Sequence, residues 1–108
     1  MIKIRVFAGS VLLGLSAIAN VSHAAGDVAR GEVVALPCLG CHGIPGYQNA
    51  HPAYHVPKIG GQSAAYLVSA LKAYKSGERD HKTMQAQAHT LSDQDMEDVA
   101  AYLAAKTK

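Results

Sequence analysis

The segment CLGCH at 38–42 constrains this chain more than any other feature. It contains both cysteines of the 108-residue sequence, Cys38 and Cys41, three positions apart, and His42 follows directly. Four chemistries bring two thiols this close together: a structural disulfide, a redox-active dithiol, half of a zinc site and a covalent attachment point for haem. The choice among them decides what fills the middle of so short a chain.

Three of these chemistries fit the rest of the sequence poorly. A disulfide between Cys38 and Cys41 would close a very small loop and gain little from loop entropy. A thioredoxin-like dithiol requires a βαβ context, and the sequence contains no convincing strands. A zinc site needs four ligands, which the scattered histidines would complete only by chance. Haem c uses the whole motif, because both thiols form thioethers with the haem vinyl groups and His42 coordinates the iron.

The first 24 residues have the pattern of a secretory signal peptide. A short basic start precedes an uncharged, mostly apolar run at 6–19, and SHA at 22–24 places small residues where a signal peptidase reads them. An uncleaved membrane anchor is the alternative, but the apolar run is shorter than the ~20 residues of a spanning helix. We expect cleavage after Ala24, export to the periplasm and one domain over 25–108.

The charge and size of residues 25–108 limit the classes of function. Two of the ten basic residues, Lys3 and Arg5, precede this segment, which leaves eight basic against eight acidic side chains. A balanced charge argues against nucleic acid, which requires a clustered positive surface. An apolar core of this size supplies only roughly 3–5 kcal/mol of stability. The segment has five tyrosines but neither tryptophan nor phenylalanine, so a bound group is expected to contribute to the core.

Helix signals predict an all-α domain with three main helices and functional loops. The first helix, 27–36, is stopped by Pro37. The second, 63–76, is capped by Ser63 and ended by Gly77, and the third begins at Ser92 with a capping-box pattern. A loop at 43–61, rich in proline and glycine, is long enough to be functional or to wrap around a bound group.

Taken in order, these motifs resemble the short, monohaem class I cytochromes c of bacteria. The likeness covers the whole of 25–108. It runs through Gly26, Asp27 and Gly31, CLGCHG at 38–43, PKIGGQ at 57–62, YL at 66–67, Leu71, YKSG at 74–77, Arg79, Met84, LSD at 91–93 and VAAYL at 99–103. The resemblance implies a cytochrome c fold, in which helices and loops wrap around one covalently bound haem c and its iron.

The same resemblance implies the site residues. His42 and Met84 match the axial ligands of the family, and Pro57 matches the residue whose carbonyl accepts a hydrogen bond from the proximal histidine. Met84 follows a polar loop, whereas Met96 falls at a core position of the capped third helix. Gly31 and Tyr102 match a close contact between the first and last helices of the family.

Ligation by histidine and methionine leaves no open position on the iron, so the family likeness implies an electron carrier and no enzymatic activity. The expected partners are transient redox proteins: a dehydrogenase or reductase as donor and an oxidase or reductase as acceptor. We expect no stable insertion into a membrane after signal cleavage. Two alternatives stay open: a haem-bearing subunit of a dehydrogenase or oxidase complex, and a five-coordinate haem enzyme or gas sensor in which Met84 does not bind.

Overall fold

The computed structural model describes residues 25–51 and 53–107, and the predicted signal peptide lies outside these ranges. The described chain forms five helices and one hairpin: α1 (Val28–Val34), α2 (Leu36–His42), β1 (Gln48–Ala50), β2 (Ala53–His55), α3 (Ala64–Ser76), α4 (Lys82–His89) and α5 (Asp93–Ala105). Within the described ranges, the helices are all too short or too polar to cross a bilayer.

The predicted helical fold is confirmed, but the prediction of three main helices missed α2 and α4. The first predicted helix ends early, because Ala35 interrupts it and Pro37 then lies in the first turn of α2. Proline is tolerated there, since the first turn of a helix does not use its N–H groups. The α4 helix was missed because its N-cap is His81, which is not among the usual capping residues.

The ends of α3 and α5 follow the predicted signals. The Ser63 hydroxyl accepts a hydrogen bond from the Tyr66 amide, and Gly77 ends α3 in the left-handed conformation with φ of 85°. At the start of α5, Ser92 and Asp95 form the reciprocal hydrogen bonds of a capping box. Local sequence chemistry therefore sets the lengths of the two longest helices.

A short antiparallel hairpin occupies part of the predicted 43–61 loop. Gln48 pairs with His55, Asn49 with Tyr54 and Ala50 with Ala53. Strands of three residues are too short to show an alternating pattern of hydrophobicity, so the sequence did not reveal them. The hairpin lies between α2 and α3 in the chain and carries side chains that contact α4.

The core lies where α1 crosses α5 and α3 packs beside them. Gly31 is buried at the crossing, and a Cβ atom there would lie 2.0 Å from the Asp98 carbonyl oxygen and 2.9 Å from Tyr102 Cβ. The predicted contact between Gly31 and Tyr102 is therefore confirmed. The buried apolar side chains around the crossing are Ala35, Leu67, Val68, Val99, Ala100 and Leu103.

Gly31→Ala is expected to destabilise the protein by at least about 3 kcal/mol, because its methyl group would overlap a helix backbone that has no room to move. Gly60→Ala is the matched control, since its nearest neighbour would lie 3.4 Å away. That control should change the free energy of unfolding by less than about 1 kcal/mol. Denaturant unfolding of the haem-loaded variants measures the change in the free energy of unfolding for each substitution. Equal effects of the two substitutions would contradict the tight crossing.

A buried carboxylate fastens the N-terminal segment to α5. Asp98 is only 1% exposed. It accepts hydrogen bonds from the Asp27 amide at 2.8 Å and from Gln94 at 2.9 Å, and it pairs with Arg30. These interactions lower the pKa of Asp98, and the hydrogen bond from the Asp27 amide has the largest effect.

A second carboxylate on α5, that of Asp95, also has a lowered pKa. Hydrogen bonds from the backbone and side chain of Ser92, with a smaller effect from Arg30, lower the pKa of Asp95 from 3.8 to about 2.

The free energy of unfolding is expected to fall as the pH drops from 3.8 to about 2. Asp95 and Asp98 both have lowered pKa values in the folded protein, so the unfolded chain binds protons first and acid favours unfolding. Asp95→Asn should reduce this dependence on pH. Asp93→Asn, at an exposed position of the same turn, is the control and should keep the wild-type slope in acid unfolding curves. An unchanged slope in Asp95→Asn would contradict the prediction.

Candidate functional site

The α2 helix presents the two thiols of the CLGCH segment. Cys38 is half-buried, Cys41 is exposed, and both are free thiols. Residues three apart in a helix lie on one face, so both sulfur atoms are placed for a single large group. Burial raises the pKa of the Cys38 thiol. The site therefore begins as a pair of neighbouring thiols on one helix face.

The last residue of α2, His42, is held by the segment that follows the hairpin. Its Nδ1 lies 2.6 Å from the carbonyl oxygen of Pro57. A carbonyl only accepts, so Nδ1 carries the proton and donates it. The lone pair of the imidazole is then on Nε2, which is the atom available to a metal. The hydrogen bond predicted between His42 and Pro57 is present in the structure.

The two candidate methionines lie in different surroundings. Met84 is half-buried in the first turn of α4, where its amide donates to Nδ1 of His81 at 3.3 Å. Met96 is fully buried at 0% exposure on α5 and belongs to the core. Of the two thioethers, only that of Met84 lies on a surface where a bound group has access.

The structure brings the predicted residues together in two groups. The cysteines, His42 and Pro57 form the first, around α2, and Met84 lies in the second, at the start of α4. The segment that contains β2 and Pro57 contacts both groups, because Tyr54 packs against His81 at the start of α4 and the Pro57 carbonyl lies against His42. Sequence reasoning treats His81 as a surface histidine that could compete for the iron, and it does not predict the capping role of His81 or its contact with Tyr54.

The remaining histidines do not assemble a second metal centre in the described ranges. His55 hydrogen-bonds Gln48, His81 caps α4, and His51 and His89 are exposed. No group of three or more His, Cys, Asp or Glu side chains within residues 25–51 and 53–107 is placed to hold a metal ion. The zinc alternative for the cysteine pair has no support in this part of the chain.

The donor set fits haem c. Two thiols share one helix face, one imidazole has its Nε2 free, and a thioether is available on a different helix. Thioether formation and His/Met ligation need these groups together.

The comparisons with known proteins agree with this chemistry. Residues 28–106 match the family described as Cytochrome c. The chain belongs to this family. Its cofactor is haem c, which contains iron and is bound covalently through the cysteines of such a motif.

Two relatives show the extent of the similarity. Cytochrome c4 of Pseudomonas aeruginosa is 42% identical over 97 residues, which are 90% of this chain and 46% of that protein. Cytochrome c-554(548) of Halomonas halodenitrificans is 46% identical over 81 residues, which are 72% of this chain and 94% of that protein. The chain thus spans about half the length of the cytochrome c4 it matches.

A solved structure confirms the fold. Reduced recombinant cytochrome c4 from Pseudomonas stutzeri aligns with a TM-score of 0.60 and 29% identity, over 77% of this chain and 52% of that one. The predicted cytochrome c fold, with helices and loops arranged for haem, is therefore correct.

Proposed function

We propose that this chain is an exported electron carrier with one haem c, held through Cys38 and Cys41 and ligated by His42 and Met84. The observation that carries the proposal is the hydrogen bond from His42 Nδ1 to the Pro57 carbonyl, which leaves Nε2 available on the residue that directly follows Cys41. The single CLGCH segment in the sequence supports one haem. Export would include cleavage behind Ala24, so that the haem domain begins at Ala25.

Each residue has a distinct task in this proposal. The thiols of Cys38 and Cys41 tether the haem to α2, so the cofactor does not dissociate between encounters. When bound, the haem supplies a one-electron couple at its iron. The ring of His42 is kept in one orientation by Pro57, which makes it a more basic ligand. The thioether of Met84 favours the reduced state and raises the potential.

Ligation by two side chains would make this a carrier rather than an enzyme. If His42 and Met84 both held the iron, a substrate or gas could reach it only by displacing one of them. Electron transfer then requires only a brief approach of another redox protein, for which a small and weak interface is sufficient. The partners are accordingly a donor such as a dehydrogenase and an acceptor such as an oxidase.

The location proposed is the periplasm. The signal-peptide pattern at 1–24 supports export, and haem c is attached outside the cytoplasm in bacteria. Intact mass of the protein from a periplasmic extract tests both points, since it should lack residues 1–24 and include one haem. A mass that includes residues 1–24 would contradict the cleavage, and a mass without haem would contradict the cofactor.

Binding of carbon monoxide to the reduced protein tests the carrier function. We expect no binding at concentrations that saturate five-coordinate haem proteins, and a reversible one-electron couple in the same sample. Ready binding would favour the alternative of a gas sensor or haem enzyme.

Gel filtration of a cell extract tests the alternative of a complex subunit. The protein should elute at the size expected for the free protein, without a larger redox enzyme. Stable association with a larger redox enzyme would favour the role of a complex subunit.

A further inference from the structure

The helix that carries Met84 starts with an unusual cap. His81 has an extended backbone, with φ of −171°, and its Nδ1 accepts the hydrogen bond from the Met84 amide at 3.3 Å. The Nδ1 atom thus acts as the side-chain acceptor of an N-cap. The His81 carbonyl also accepts from the Gln85 amide at 2.8 Å. Both bonds fix the backbone of Met84, so the conformation of His81 decides where that residue lies.

The hairpin places an aromatic side chain directly against this cap. The rings of Tyr54 and His81 meet edge to face, with centroids 4.9 Å apart and planes at 85°. The Tyr54 hydroxyl lies 3.4 Å from the hydroxyl of Thr83, which directly precedes Met84. Edge-to-face packing is a favourable arrangement of two rings. Tyr54 thus contacts both the N-cap residue and the first turn of α4.

The backbone of the hairpin keeps Tyr54 in this position. Tyr54 pairs with Asn49 across the hairpin, and the Val56 amide donates to the Tyr47 carbonyl at 3.0 Å just beyond it. The next residue, Pro57, accepts the hydrogen bond from His42. One extended segment, 54–57, therefore touches the cap of the Met84 helix at one end and the ring of His42 at the other.

We propose that the β1–β2 hairpin is a positioning element for Met84, acting through Tyr54 and His81. The inference rests on the proposed function, in which Met84 is an axial ligand. Neither Tyr54 nor His81 binds the iron. They hold the start of α4 so that the thioether stays in reach, and the connection to Pro57 ties that geometry to the opposite ligand, His42.

Displacement of Met84 by an added ligand measures this role. Loss of one N-cap changes a local helix equilibrium by a factor of about five. In His81→Ala we expect the affinity of the oxidised protein for imidazole to rise by about that factor, and the far-red absorption band of methionine–iron bonding to weaken. His81→Asn should recover part of the wild-type behaviour, because asparagine is a leading N-cap residue but has no ring to pack against Tyr54.

Ser92→Ala is the matched control, since it removes the N-cap of α5, a different helix from the one that carries Met84. It should lower Tm by an amount similar to His81→Ala and leave imidazole affinity unchanged. A rise of affinity in Ser92→Ala equal to that in His81→Ala would assign the effect to general destabilisation and overturn the proposal.

Tyr54 variants test the hairpin itself. Tyr54→Ala should also raise imidazole affinity, whereas Tyr54→Phe, which keeps the ring against His81, should change it less than about twofold. Because Tyr54 acts through His81, the effects of Tyr54→Ala and His81→Ala should not add in the double variant. Full additivity, or no effect of either single variant, would overturn the positioning role.

Met84→Ala distinguishes an error in the proposed iron ligand from an error in the positioning role of Tyr54 and His81. If it leaves the far-red band and the imidazole affinity unaltered, the proposed ligand is wrong and this inference fails with it. If Met84→Ala changes both while the His81 and Tyr54 variants change neither, only the positioning role is wrong.

Discussion

Met84→Ala is expected to lower the reduction potential by tenths of a volt, within the roughly 0.8 V range over which axial ligands tune haem. A thioether stabilises the reduced iron, and alanine has no donor to replace it. The vacated position should then accept carbon monoxide in the reduced state and imidazole in the oxidised state. Potentiometric titration and ligand binding on the purified variant measure these effects.

Met96→Ala is the control for this substitution, because it removes the other methionine of residues 25–108. Met96 is fully buried on α5, so its truncation should cost about 2–5 kcal/mol of stability. The reduction potential and the closed coordination of the iron should remain. If Met96→Ala opened the iron and Met84→Ala did not, the assignment of the ligand would be wrong.

Replacing both Cys38 and Cys41 with serine is expected to abolish covalent haem attachment. A serine hydroxyl does not add to a haem vinyl group, so haem would be removed from the denatured variant by acidified solvent, whereas the wild-type protein would keep it. The apolar core is small, with eight buried apolar residues in the part of the chain that the structure describes, and we expect the haem-free chain to lose much of its helical circular dichroism.

The single variants Cys38→Ser and Cys41→Ser are the matched controls for the double one. Each leaves one thiol and hence one thioether, so haem should resist extraction from both. Covalent haem in the double variant would show that the attachment does not use these thiols. A colourless wild-type protein with Cys38 and Cys41 joined to each other would exclude haem altogether.

The sequence predicted the parts of the fold that depend on local chemistry. The caps at Ser63 and Ser92 and the left-handed end at Gly77 act within one helical turn, so short-range patterns were sufficient to find them. The hydrogen bond between His42 and Pro57 was anticipated from the family likeness. It spans 15 positions, and spacing alone would not have revealed it.

The features that the sequence did not reveal depend on partners distant in the chain. In the sequence, Asp98 cannot be distinguished from an exposed carboxylate of a helix. Its hydrogen bond from the Asp27 amide joins residues 71 positions apart and forms only when α1 packs against α5. The contact between Tyr54 and His81 requires the hairpin to fold onto α4. Pro37 predicts the end of a helix, whereas in the structure it lies in the first turn of α2, because the interruption at Ala35 creates a new helix N-terminus.

The measurement that tests the account most directly is X-ray absorption at the iron edge of the oxidised protein. We expect six neighbours of the iron: four porphyrin nitrogens, the Nε2 of His42 and one sulfur, from Met84. A spectrum with no sulfur in the first coordination shell, or with an unfilled position, would contradict a carrier whose iron is closed by these two side chains.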